Sequence, residues 1–113
     1  MHELSIALSI IELAENEAGR AGGKEIKELE LEVGLLAGVD LDALEFSLEM
    51  SKKETILENA ILKIDKIPGL CHCRECLVDF PVDDLYSACP DCKSYSHDLI
   101  KGDELRIKSI VIE

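Results

Sequence analysis

The sequence predicts an α+β protein: a small mixed α/β domain of two helices and a three-stranded sheet, with a cysteine-rich module inserted before the last strand. Helical and strand periodicities alternate up to residue 67, all five cysteines fall between residues 70 and 100, and an apolar strand follows them. A lone two-stranded sheet is marginally stable, so the last strand is expected to join the first two. The predicted boundaries are residues 1–69 plus 102–113 for the mixed domain and 70–101 for the module.

The first two elements have clear periodicities. Residues 4–20 carry apolar side chains at helical spacing, and Gly22-Gly23 supplies the positive φ that ends a helix. Residues 26–33 read IKELELEV, in which glutamates alternate with apolar residues. That alternation predicts a strand with one solvated face.

The remaining elements of the mixed domain follow the same logic. Asp40 is placed to cap a second helix that reaches residue 50. Strands are predicted at residues 60–67 and 104–112, and Pro68-Gly69 separates the first of these from the cysteine module. In the last strand the apolar run at residues 110–112 predicts burial on both faces or a bulge.

The charge balance restricts the classes of partner. The chain has 12 Lys and Arg residues against 24 Asp and Glu residues, a formal net charge of −12. A chain with this charge should repel phosphate backbones and anionic lipid, so nucleic-acid and membrane-surface binding are not expected. The alternative interpretation is that the acidic residues serve only to keep the protein soluble. The N-terminal segment lacks a basic region and a cleavage site, so it is read as neither a signal peptide nor a membrane span. The expected compartment is the cytoplasm, where thiols stay reduced.

The cysteines are arranged as a metal site. Cys73 and Cys76 form one Cys-x2-Cys pair, Cys89 and Cys92 form another, and 12 residues separate the pairs. Each two-residue gap allows a tight turn that points both sulfurs at one ion, and four thiolates complete the tetrahedron of a structural Zn(II) site. Disulfides or a redox pair are the alternatives, which a reducing compartment and the duplicated motif disfavour. Lys93, Arg74 or backbone amides could offset the negative charge of four thiolates on one zinc ion.

One cysteine and two histidines remain in this segment. Cys71 is interpreted as a small buried residue, with a reactive thiol or a competing metal ligand as the alternative. His72 and His97 are interpreted as surface residues, with proximity to a second metal site as the alternative. The sequence contains no nucleophile–base arrangement and no phosphate-binding glycine loop, so an enzyme is not expected.

The N-terminus offers a second set of metal ligands. Met1, His2 and Glu3 place an α-amine, two amide nitrogens and one imidazole within a single chelating loop. Deprotonated amides favour a square-planar ion, which selects Ni(II) or Cu(II) over Zn(II). Glu3 could steady the helix start or supply an outer hydrogen bond. The alternative is a frayed end without metal.

The order of these motifs resembles one known family. The Met1-His2-Glu3 start, the first helix, the LEVG strand end, the two cysteine pairs and the GDELRIKSIVIE tail together look like the HypA/HybF family of nickel metallochaperones for NiFe-hydrogenase maturation. The resemblance covers essentially the whole chain. Two features depart from the family pattern: Lys93 stands where the family commonly has glycine, and Cys71-His72 precedes the first pair.

The resemblance carries functional implications. It implies that His2 is the key nickel ligand, with the Met1 amine and the His2 and Glu3 amides as helpers, and that zinc is held by the cysteine module. It also implies delivery of Ni(II) to the hydrogenase large subunit together with the HypB GTPase; some relatives also supply urease, which adds urease maturation proteins as expected partners. Homodimer formation stays open. The competing hypotheses are a zinc-ribbon interaction module and a redox switch that uses Cys71.

Overall fold

The computed structural model describes residues 2–113. It contains two helices and six strands: α1 His2–Arg20, β1 Ile26–Gly34, α2 Leu41–Ser51, β2 Ile61–Ile67, β3 Gly69–Cys73, β4 Asp79–Val82, β5 His97–Lys101 and β6 Leu105–Ile112. The strands form two three-stranded sheets with orders β2-β1-β6 and β4-β3-β5. The predicted fold class is therefore confirmed, including the return of the last strand to the first sheet. The short strands within the cysteine segment were not predicted. No helix among residues 2–113 is long and apolar enough to cross a membrane.

The chain folds into two compact units. One comprises the chain up to Leu31, Val39–Ile64 and Arg106–Glu113. The other comprises Glu32–Gly38 and Asp65–Leu105. The boundaries expected from the sequence, at residues 70 and 101, stay a prediction.

Helix α1 contributes one apolar face to the core of the first unit. Its buried residues recur at intervals of three and four, as a one-sided helix requires: Ala7, Ile10, Ile11, Ala14 and Ala18. The helix ends where Gly22 adopts a φ of 71° and the Gly23 N–H donates to the Ala18 carbonyl at 2.9 Å. A residue with a side chain would be strained at that φ, so this glycine determines where α1 stops.

Strand β1 is the central strand of its sheet and has two different faces. Leu29, Leu31 and Val33 are buried, whereas the alternating glutamates are only partly covered. Glu28 pairs with Lys63 on β2. Glu30 lies 3.5 Å from Lys108 on β6. The predicted solvated face is thus present, and ion pairs to both neighbouring strands cross it.

Strand β6 is an edge strand of this sheet. At opposite ends of β6, the Gly34 N–H donates to the Glu104 carbonyl at 2.7 Å and the Glu113 N–H donates to the Glu25 carbonyl at 2.9 Å, so β6 runs antiparallel to β1. Val111 is 47% exposed. The prediction of burial on both faces at residues 110–112 is therefore wrong, because an edge strand is covered from fewer directions.

In the second unit, β3 is the central strand. It pairs antiparallel with β4, where Cys71 lies opposite Phe80, and antiparallel with β5, where Cys73 lies opposite His97. The core of this sheet is small and contains Cys71, Phe80 and Val82 together with two of the paired cysteines.

Three glycines allow the backbone to pack closely where the chain enters and leaves this sheet. A Cβ on Gly34 would collide with the backbone of Gly102. Gly102 itself has a φ of 123°, and a Cβ there would lie 2.7 Å from the Cα of Gly69. No larger residue fits without moving one of these strands.

Candidate metal centres

The first cysteine pair forms a tight turn at the end of β3. The Leu77 N–H donates to the Cys73 carbonyl at 3.0 Å, and the Cys73 N–H donates to the Val78 carbonyl at 2.8 Å. Leu77 adopts the left-handed conformation, with a φ of 64°. These bonds fold the chain back on itself directly after Cys76, which is the turn that the two-residue spacing predicts.

The second cysteine pair repeats this turn. The Lys93 N–H donates to the Cys89 carbonyl at 2.9 Å, and the Cys89 N–H donates to the Ser94 carbonyl at 2.8 Å. Lys93 has a φ of 65°, close to that of Leu77 in the first turn. The two turns therefore have the same backbone conformation at this position, and Lys93 adopts it at an energetic cost that glycine would not have.

The two turns bring all four cysteines to one point. The Sγ atoms of Cys73, Cys76, Cys89 and Cys92 lie within 4.8 Å of one another. Sγ of Cys73 lies 3.5 Å from that of Cys92, and Sγ of Cys76 lies 3.5 Å from that of Cys89. Tetrahedral zinc–sulfur bonds of about 2.3 Å place sulfurs about 3.8 Å apart, so this donor set fits a zinc ion closely. Among residues 2–113, no other group of three or more His, Cys, Asp or Glu ligand atoms is gathered in this way.

The thiols of this cluster differ in acidity. The backbone N–H groups of Cys76 and Glu75 lower the pKa of Cys73 to about 7, against the opposing effect of burial. Burial, together with the neighbouring Cys89 thiol, raises the pKa of Cys76 to about 12. Four thiolates cannot coexist at neutral pH without a cation between them, so a metal ion would have to displace protons from this cluster.

Backbone amides, and not cationic side chains, stabilise the thiolate of Cys73. The Lys93 ammonium donates to the Pro90 carbonyl at 3.2 Å. The Arg74 guanidinium lies 3.8 Å from the Asp98 carboxylate. Lys93, Arg74 and backbone amides were the three candidates for offsetting the negative charge of the thiolates. Of these three, only the amides contribute to the lowered pKa of Cys73.

The fifth cysteine lies in the core of the sheet. Cys71 is fully buried and packs in the cluster with Phe80 and Val82. Burial, followed by the nearby Asp98 carboxylate, raises the pKa of its thiol. The interpretation of Cys71 as a small buried residue is confirmed.

The two histidines of this unit have local partners. Nδ1 of His72 lies 2.7 Å from a carboxylate oxygen of Asp79 on β4. The ring of His97 meets Phe80 edge to face, with centroids 5.7 Å apart. Both side chains are partly exposed, in agreement with their interpretation as surface residues.

The N-terminal candidate site begins where the described chain begins. Met1 lies outside the described residues. His2 is the first residue of α1 and its side chain is 65% exposed, with Nδ1 at 3.4 Å from a carboxylate oxygen of Glu3. The amides of His2 and Glu3 belong to the first turn of α1, where N–H groups have no acceptor within the helix. The imidazole is thus exposed at the start of α1.

Glu3 has a partner that the sequence pattern does not indicate. Its carboxylate accepts the Asp40 N–H at 3.3 Å, and Asp40 in turn caps α2 by accepting the Ala43 N–H at 3.1 Å. The Asp40 N–H is the main cause of a lowered pKa at Glu3, with the Glu3 N–H and His2 contributing further. The cap at Asp40 was predictable from sequence, whereas its bond to a residue 37 positions away was not.

Comparison with known proteins shows the family of this chain. The family model described as hydrogenase/urease nickel incorporation, metallochaperone, hypA matches residues 1–112. The hydrogenase maturation factor HypA of Parabacteroides distasonis is 48% identical over 113 residues, which cover 100% of this chain and 98% of that protein. The factor of the same name from Geobacter metallireducens is 40% identical over 113 residues, with 100% of both chains covered.

Two solved structures share the fold. The solution structure of the Ni metallochaperone HypA from Helicobacter pylori matches with a TM-score of 0.68 and 24% identity, covering 97% of this chain and 96% of that one. A solution structure of HypA protein matches with a TM-score of 0.72 and 25% identity, covering 100% and 97%. The family match over residues 1–112 and these relatives show that the chain belongs to the HypA family of hydrogenase and urease nickel-incorporation metallochaperones.

Proposed function

We propose that this chain binds Ni(II) at its N-terminus and delivers it for the maturation of NiFe hydrogenase, while a zinc ion on four cysteines stabilises the second unit. One observation carries the proposal: in a chain of the HypA family, the exposed His2 imidazole stands beside first-turn amides at the start of α1. A carrier needs such an open site, because cargo must enter and leave.

Zinc is the ion that best suits the cysteine cluster. Cys73, Cys76, Cys89 and Cys92 would hold it, and four thiolates leave no open coordination position for a substrate. The role is therefore structural. Zinc fits because the sheet around β3 has a core of only a few side chains, and metal binding adds directly to the stability of so small a unit.

Nickel is proposed for the N-terminus because of its nitrogen donors. His2 would supply the imidazole, while the Met1 amine and the His2 and Glu3 amides would complete a planar set that Ni(II) favours over Zn(II). The Glu3 carboxylate, held by the Asp40 N–H, would orient the first turn. Protons compete with the metal for these nitrogens, so nickel affinity should fall as the pH is lowered.

The proposed partners follow from the family and from what the sequence lacks. The chain carries no phosphate-binding glycine loop, so nucleotide hydrolysis would come from a separate protein, the HypB GTPase. The hydrogenase large subunit would be the recipient, and urease maturation proteins are further candidates. We place this carrier in the cytoplasm and assign it no catalytic turnover of its own.

The test is calorimetric titration of Ni(II) into protein with a native terminus and into the His2→Ala variant, at equal zinc content. His2→Ala should abolish the specific one-to-one site and leave zinc and fold intact. An added residue ahead of Met1 should weaken the site, since the α-amine becomes an amide.

The matched control is His97→Ala, which removes a partly exposed imidazole elsewhere in the chain. It should leave nickel affinity unchanged. Equal nickel binding by the native and His2→Ala proteins would disprove the site, and an absence of any one-to-one nickel site would favour a zinc-ribbon adaptor instead.

A further inference from the structure

Helix α2 carries an apolar face that the core does not use. Leu44 and Leu48 are buried, yet Phe46 and Met50 remain 67% and 49% exposed. Residues 43, 46, 47 and 50 are spaced by three and four and share one side of the helix. Helix α2 therefore has a second apolar face in addition to the one that packs in the core.

This face and the start of α1 enclose a groove. Its volume is about 380 Å³, and it is lined by Glu3, Leu4, Ala43, Phe46, Ser47 and Met50. Leu8 lies one turn beyond Leu4 on α1 and is 53% exposed, so it extends the apolar wall. A groove between two packed helices has the shape that receives the apolar face of a third helix.

Exposed carboxylates occur along both helices that line the groove, and Glu3 belongs to the lining itself; these are the flanking carboxylates. On α1 two acidic residues follow Leu8 by four and seven positions, and on α2 three more share one face at positions i, i+3 and i+7: Glu12, Glu15, Asp42, Glu45 and Glu49. Lys52 lies 3.2 Å from Glu49 and also donates to the Ala60 carbonyl, so its charge is committed to that one pair. The apolar floor therefore lies within a negative field.

We propose that this groove, lined by residues of α1 and α2, docks an amphipathic helix of a partner protein whose polar face is rich in Lys and Arg. The apolar floor supplies the contact area, and the flanking carboxylates select the charge of the partner. Glu3 lines the groove and contacts His2, so the docked helix lies beside the proposed nickel ligand. The link to nickel delivery rests on the proposed function, whereas the docking surface does not.

The charges disfavour a second copy of this chain as the occupant. The chain carries a net charge of −12, and a symmetric contact through this groove would bring its acidic flanks together. A basic helix faces no such repulsion. The shape of the groove selects a helix, and its charge selects a basic one.

The test uses full-length protein and a synthetic helical peptide of about 18 residues, with Leu at i, i+3, i+4 and i+7 and Lys on the other face. Binding is measured by fluorescence anisotropy and mapped by amide chemical shifts. Leu8→Ser and Phe46→Ser should each raise the Kd for the peptide by about tenfold or more. A peptide with Glu in place of Lys should not bind.

The control is Leu13→Ser, since Leu13 is 55% exposed on the same helix but lies away from the groove. This variant should bind the peptide with a Kd within about twofold of the value for the unmodified protein. Charge reversal tests the flanking carboxylates: Glu45→Lys on α2 should weaken peptide binding. Glu58→Lys makes the same charge change outside both helices and should weaken binding less.

Three outcomes would overturn the proposal. Equal loss in Leu13→Ser and Leu8→Ser would mean non-specific apolar association with α1. Shift changes centred on the glutamate face of β1 would mean non-specific attraction between charges. A homodimer that Phe46→Ser dissociates would mean that a second copy occupies the groove. Phe46→Ser should bind nickel like the unmodified protein, and His2→Ala should bind the peptide like the unmodified protein. A failure of the nickel assignment is therefore distinguishable from a failure of the docking proposal.

Discussion

The Glu3 carboxylate accepts the Asp40 backbone N–H at 3.3 Å and thereby connects the first turn of α1 to the cap of α2. Asp40 holds the other helix through its own bond to Ala43. The residue beside the proposed nickel ligand is therefore fixed by a contact from a distant part of the chain. This arrangement can be tested in nickel-free protein.

The Glu3–Asp40 bond should depend on pH in the acidic range. Because the Asp40 N–H lowers the pKa of Glu3 below its ordinary value of 4.5, the stabilisation is fully present above that value. It should be lost as the pH falls from 4.5 through the lower pKa of the folded state. In an NMR titration, the shift change of the Asp40 amide below pH 4.5 should be larger in the unmodified protein than in Glu3→Gln. An unchanged Asp40 profile in that variant would mean that the bond does not form in solution.

Replacement of one paired cysteine should unfold the second unit selectively. Cys76→Ser removes one of four thiolates, so we expect loss of the bound zinc and collapse of amide dispersion for residues 70–100, while the helices persist. Metal analysis and a two-dimensional amide spectrum provide the measurement. Cys71→Ala is the matched control: Cys71 is buried outside the four-sulfur cluster, so the variant should keep its zinc and lose about 1 kcal/mol of stability. Zinc below about half an equivalent in unmodified, freshly reduced protein would contradict the assignment.

Two glycine-to-alanine substitutions should have opposite effects. A Cβ on Gly34 would collide with the Gly102 backbone, so Gly34→Ala should destabilise the protein by about 2 kcal/mol or more. A Cβ on Gly19, inside α1, meets no atom within 4 Å, so Gly19→Ala should stabilise it by about 0.5–1 kcal/mol. Urea unfolding of both variants gives the comparison. A neutral Gly34→Ala would show that the close approach is relaxed in solution.

Lys93→Gly should relieve backbone strain in the second cysteine turn. Lys93 has a φ of 65°, and a glycine adopts that conformation without a Cβ clash, so the zinc-loaded protein should gain about 1 kcal/mol. The comparison is Lys101→Gly, in strand β5, which should lose stability because glycine weakens a strand. Thermal unfolding at saturating zinc measures both, and a destabilised Lys93→Gly would mean that the lysine side chain contributes more than the strain costs.

Local patterns were sufficient for most elements of the chain. Helix α1, strand β1 and the cap at Asp40 were predictable because their signals span a few neighbouring residues, and the cysteine turns were predictable because metal coordination constrains spacing. The short strands of the cysteine segment were not, because each has only four or five residues and gains stability from its partners.

Long-range pairing decided the rest. Sequence alone indicated the family and the class of fold, and it proposed four cysteines and His2 as metal ligands, since each of these depends on residue identity and order. Only the tertiary structure decided that Glu3 meets Asp40, that β6 forms an edge with Val111 exposed, and that Phe46 stays on the surface while Leu44 and Leu48 are buried. The physical reason is that periodicity states which residues share a face of an element, whereas what covers that face depends on residues far away in the chain.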